Sequence, residues 1–286
     1  MAKSRPFISV LTTLGKVRTL DSVEELVAVS DPGEVDRKEH NRGDRFVIHV
    51  SNIAAWLFPI LMLAITAQVL LRNGGMNQAW LDDLQWWLYG AAVLMGVAYA
   101  VTTDSHVRVD ILYDNFPDDK KTRINLFSLG WLFLPFIILS WDVTYDYALS
   151  SIRANEGSDS PNGLHNLWIL KTFMNASFVF IGIACWAAII RNLARLHEPK
   201  LWRQLWAAFP ATFMLVNLSI YYGLYIIMSA FAEEGASARD ISRGPAFGEI
   251  EFGNYELTYT VAASLILTPI IILALRAMDT SRKAGS

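Results

Sequence analysis

Six apolar stretches of spanning length divide this chain, at about 46–71, 84–103, 125–148, 167–190, 205–231 and 255–277. No other feature limits the fold as much. A helix rises 1.5 Å per residue, so about 20 apolar residues cross the roughly 30 Å of a bilayer core. The segments outside these stretches carry 8, 1, 4, 1, 4, 2 and 3 Lys/Arg in chain order, with Arg276 counted at the close of the sixth and Lys171 inside the fourth. Basic residues concentrate on the cytoplasmic side of membrane proteins, so the alternation predicts six spans with both termini in the cytoplasm. The expected fold is all-α, an integral membrane helical bundle.

Composition points the same way, with 53% hydrophobic and 18% charged residues among 286. Buried helices of a soluble protein would keep a polar stripe, whereas Leu88–Val101 and Phe178–Ile190 are apolar all round. A net charge of −3 offers no basic patch, so no nucleic-acid partner is expected. Cys185 is the sole cysteine, which excludes an intrachain disulfide and a thiolate metal cage. HExxH and GxSxG are absent, and His40, His49, His106, His165 and His197 are not placed to ligate a haem in facing helices. No catalytic residue, cofactor or metal is expected.

Along the chain, residues 1–45 read as a cytoplasmic arm with eight basic and eight acidic residues. Val17, Leu20, Val23 and Val27 fall near one helical face, which suits a short interfacial helix ended by Asp31-Pro32-Gly33. Residues 46–196 then form a four-helix core, and 197–286 a two-helix hairpin with a short cytoplasmic tail. Loop 149–166 holds Gly157, Ser158, Pro161, Asn162 and Gly163 and reads as structured, and loop 232–254 is acidic. No internal repeat of the kind that builds autonomous secondary transporters is present, which argues against transport by this chain alone. A membrane anchor for an enzyme complex and a stand-alone transporter or channel are the alternative readings.

Charges inside spans are costly and therefore informative. Asp142 and Asp146 sit one turn apart near the outer end of the third span. Lys171 sits about one turn inside the antiparallel fourth span, so a pair with Asp142 or Asp146 is expected; independent snorkelling to the headgroups is the alternative. Arg72 closes the first span where Asp82 and Asp83 open the second, which suits an ion pair across that hairpin. Trp80, Leu84, Trp87 and Ala91 share a face, with Trp86 beside it. Trp80 and Trp86 suit an aromatic belt, and the deeper Trp87 a protein contact. After the second span, His106, Arg108 and Asp110 alternate with Val107, Val109 and Ile111, a pattern for an extended segment tucked under the helices.

These residues carry a resemblance. Arg72, Trp80-Leu-Asp-Asp-Leu-Gln-Trp-Trp-Leu-Tyr-Gly90 and His106-Val-Arg-Val-Asp-Ile-Leu-Tyr113 resemble the small membrane subunit of tripartite ATP-independent periplasmic (TRAP) transporters, the DctQ-like family. Glu156-Gly-Ser-Asp-Ser-Pro-Asn-Gly163 and Trp168-Ile-Leu-Lys171 are similar to that family's third loop and fourth helix. The likeness covers about 44–196. The family usually has Glu at the positions of Asp82 and Asp83 and a proline shortly after the lysine, and Thr172–Ser177 contains none. The resemblance implies a scaffold subunit working with a large membrane subunit of about twelve spans and a periplasmic solute-binding protein, in uptake of an organic acid or similar solute driven by an ion gradient, usually sodium. It does not reach the last two spans.

Overall fold

The computed structural model describes residues 37–106, 113, 115–232 and 237–284. The expected interfacial helix and its 31–33 turn lie outside the described residues, as do Arg108 and Asp110. Residues 41–286 form one compact unit, described below.

Six helices are long and apolar enough to cross a membrane. The first comprises α1 (Arg42–Ala54) and α2 (Leu57–Asn73). It starts earlier than hydropathy alone suggests because Asn41 and Asp44 form a capping box. The Asp44 N–H donates to Asn41 Oδ1 at 3.1 Å, and the Asn41 N–H to Asp44 Oδ2 at 3.0 Å. The break between α1 and α2 falls four residues before Pro59, whose ring has no N–H and crowds the carbonyl of Ala55. The second span is α3 (Ala79–Thr103).

The third span joins α4 (Asp118–Phe127), a π-helical segment (Ser128–Phe133) and α5 (Leu134–Arg153). Pro135 follows the π segment, so the wider turn accommodates a residue that cannot donate to the carbonyl of Trp131. The fourth span, α6 (Trp168–Leu196), runs 29 residues unbroken, as its lack of proline allows. It is the central post. Ser177, Ile181, Ala184, Cys185 and Ala188 are buried on it, and these mostly small side chains let α3 and α5 approach closely.

After α7 (Leu201–Ala207) come α8 (Phe209–Ala230), the short α9 (Ala238–Ser242), a 3₁₀ turn (Pro245–Phe247) and α10 (Tyr259–Ala284). Before α10 lies an antiparallel hairpin of β1 (Glu249–Phe252) and β2 (Tyr255–Thr258), with Glu251 opposite Glu256. Residues 255–258 are thus strand, not the start of the sixth span. Gly253, at φ +63°, makes the two-residue turn that the strands need. Thr260, Ser264, Thr268 and Ile272, four apart and all buried, line one face of α10, and Ser264 Oγ lies 3.4 Å from Asn217 Oδ1 of α8.

Between 11% and 39% of each span's apolar window is buried within the protein. Lipid, rather than water, is the solvent that such a surface requires.

Candidate functional site

The candidate site is the set of charged and polar side chains that braces the bundle at its two ends. At the end carrying the 74–78 turn, Arg72 Nη2 lies 3.7 Å from Asp82 Oδ1. Asp82 also accepts from Gln68, and Gln68 in turn accepts from Gln85, so α2 and α3 are stitched by a polar chain below the ion pair. Asp83 reaches elsewhere. Its Oδ2 accepts from the Leu164 N–H at 2.8 Å and so holds the loop between α5 and α6. Gly163 sits so close that an added Cβ would come within 2.5 Å of that same oxygen. Asn155, Asn162 and Asn166 all adopt positive φ in this loop, the turn chemistry that short polar side chains tolerate.

Lys171 pairs with Glu156 and with neither aspartate. Its Nζ lies 2.5 Å from Glu156 Oε2 and 2.7 Å from Oε1, and 3.9 Å from the centre of the Tyr147 ring. The Lys171 ammonium holds the Glu156 carboxyl below its ordinary range. The expected pairing fails on depth. The third span continues to Arg153, so Asp142 lies about 16 Å from that helix end, whereas Lys171 is one turn inside α6. Asp142 instead accepts from Tyr222 of α8 at 2.7 Å. Asp146, one turn further, is exposed on the same helix. Asn175 donates to Trp141 O at 2.8 Å and to Thr144 Oγ1 at 2.9 Å, a tie between α5 and α6.

At the opposite end, Asp44 and Arg191 form a buried ion pair between α1 and α6, with Asp44 fully enclosed. Arg191 Nη2 also donates to Thr102 O of α3 at 2.8 Å, and Asn41 Nδ2 to Ala187 O at 2.8 Å. Three spans are thus locked by one guanidinium. Sequence reading missed this clasp because Asp44 lies among arm-like charges. The available signal was Asn41-x-x-Asp44 as a capping box, together with an arginine directly after the long apolar run of the fourth span. A cavity of about 680 Å³ adjoins Arg191, with Asp104, His106, Asn125 and Asn192 among its lining. His106 Nδ1 lies 3.9 Å from Asp104 Oδ1.

Trp80 and Trp86 are exposed, and Trp80 Nε1 donates to Gln78 at 3.1 Å; Trp87 is half-buried. Among the described residues no cluster of His, Cys, Asp and Glu suited to a metal occurs.

Among the described residues, several contacts hold the last two spans in place. Besides Asp142–Tyr222, Lys200 Nζ meets Asp279 Oδ2 at 2.5 Å, and Gly130 of the π segment packs on the α7–α8 junction. A Cβ on Gly130 would stand 2.8 Å from the Ala207 carbonyl oxygen.

Residues 61–195 match the family model described as "Tripartite ATP-independent periplasmic transporters, DctQ component". That stretch, just under half of the chain, is similar to the DctQ family. No curated protein and no solved structure matches it. The DctQ match begins within α2 and closes in the last turn of α6, so both clasps draw on it while α8 and α10 fall outside. Six apolar helices make the chain a multi-pass membrane protein, and the family that its segment matches is one of TRAP transporter components rather than enzymes.

Proposed function

We propose that this protein is a static scaffold of a TRAP-type uptake system in the bacterial inner membrane, with both termini in the cytoplasm. Its partners are a large membrane subunit of about twelve spans, which moves the solute, and a periplasmic solute-binding protein, which captures it. The solute is an organic acid or a similar small molecule, and the driving ion is sodium. One observation supports this reading above others: the polar groups inside the bundle tie neighbouring helices together. Asp44–Arg191–Thr102, Arg72–Asp82–Gln68, Asp83–Leu164, Lys171–Glu156 and Asp142–Tyr222 each join different elements. A moving transport domain needs a frame that does not move, and a helix bundle cross-braced at both ends serves as one.

In this reading Arg72, Trp80, Asp83 and Trp87 order the first hairpin, and His106, Arg108 and Asp110 support the cytoplasmic side. Lys171, Asp142 and Asp146 order the outer ends of the third and fourth spans. Residues 1–45 serve as an arm, 46–196 as the four-helix core and 197–286 as added scaffold. The test is affinity capture of the large subunit by the tagged chain, with Asp83→Ala and Arg108→Ala compared. Reduced capture and reduced uptake in both variants support the assignment, and wild-type levels in both overturn it.

A further inference from the structure

The two aspartates of α5 are treated differently by the fold. Asp142 is met by Tyr222, whereas among the described residues none donates to Asp146, which is exposed. Its depth follows from its neighbours. Asn175, two turns inside α6, bonds Trp141 and Thr144, and Lys171, one turn inside, stands 3.9 Å from the Tyr147 ring. Asp146 falls between those levels, seven residues or about 10 Å short of the helix end at Arg153. A lysine or arginine could climb to the headgroups on its long stem. An aspartate has one methylene and stays where the backbone puts it.

Phe136, Leu139, Val143, Asp146 and Ser150 follow one another at spacings of three and four, a stripe of about 21 Å along α5. Phe136, Leu139 and Val143 are 58%, 51% and 67% exposed, so no element of this chain covers the stripe. Alternate spacings of three and four form the seam by which one helix packs along another. The apolar members suit lipid tails as well as a helix, and the carboxylate decides between them. Hydrocarbon supplies neither donor nor counter-charge, so a bare carboxylate facing it is costly. A neighbouring helix with a lysine or arginine at that level supplies both. This chain does not provide that cation: Arg72 is committed to Asp82 and Lys171 to Glu156, and Arg153 lies two turns further along. A second copy would bring the same committed groups.

We propose that this face of α5 is the contact for one membrane-spanning helix of the large subunit, which carries a lysine or arginine level with Asp146. The identity of that partner rests on the scaffold reading, and the contact goes beyond it. Asp146 thereby orders the outer end of the third span across an interface.

The experiment uses the tagged full chain co-expressed with the large subunit. Asp146→Asn and Asp146→Leu are each expected to lower capture of that subunit by at least about tenfold, because each strands the partner's buried charge. The melting midpoint of the chain alone in detergent is expected to stay at or above the wild-type value, since no bond within the chain is lost. Photoreactive benzoylphenylalanine in place of Val143, one turn away on the same face, is expected to cross-link to the large subunit. That cross-link decides alone if neither Asp146 variant folds. Wild-type capture by both variants overturns the contact, and so does a fall in the chain's own midpoint that parallels the loss of capture. Cross-linking only to a second copy, or only to lipid, overturns it as well. A wild type that captures no large subunit removes the scaffold reading and the contact together, whereas capture kept by wild type and variants alike removes the contact alone.

Discussion

Asp44 and Arg191 are the side chains on which the most stability turns. Both are buried, and Arg191 reaches Thr102 as well, so removing either partner strands the other. Breaking a buried pair from one side costs about 3–5 kcal/mol, whereas replacing both partners by apolar groups of similar size is near neutral. Asp44→Ala is therefore expected to lower the denaturation midpoint in detergent sharply, and Asp44→Leu with Arg191→Met to recover most of the loss. A single variant as stable as the wild type would remove the clasp from the account. Glu156 gives a pH signature. Lys171 lowers its pKa below the ordinary 4.5, so the folded state releases that proton more readily than the unfolded state. The stabilisation is then complete above about 4.5 and is lost as pH falls through the depressed value. Thermal midpoints of Glu156→Gln against the wild type should differ at pH 7 and converge in acid. A constant difference across that range would contradict the pairing. Lys171's partner was not legible in sequence, because its depth depends on how far the third helix runs, and Arg153 ends that helix later than the apolar stretch does.

Among the elements, the number and order of spans were legible, because hydropathy over 20 residues is a property of the whole window. Their ends were not. Asn41-x-x-Asp44 starts the first helix, and Gly253-Asn254 turns a strand pair just where an apolar run begins; both are local signals that a long window averages away. The π segment is a further case. Pro135 follows it, but its use emerges only where Gly130 meets the α7–α8 junction. Gly130→Val forces backbone against the Ala207 carbonyl, an overpacking worth about 1–3 kcal/mol. Faster proteolytic nicking within 197–208 is the expected result. Unchanged cleavage would mean that the junction does not hold the last two spans in place.

For the molecule as a whole, the division between the DctQ segment and the added helices matters most. Residues 61–195 carry the family match, and the far-end brace among Arg72, Asp82, Asp83, Glu156 and Lys171 lies wholly within it. The near-end brace recruits Asp44 from before it, and α8 and α10 attach through Tyr222, Lys200 and Gly130. The proposed scaffold role needs such a cross-braced body. The most direct test is solute uptake into proteoliposomes holding this chain alone, the large membrane subunit alone, or both, each with the periplasmic binding protein and an inward sodium gradient. Uptake only when both membrane proteins are present is the predicted result. Gradient-driven uptake by this chain alone would contradict it.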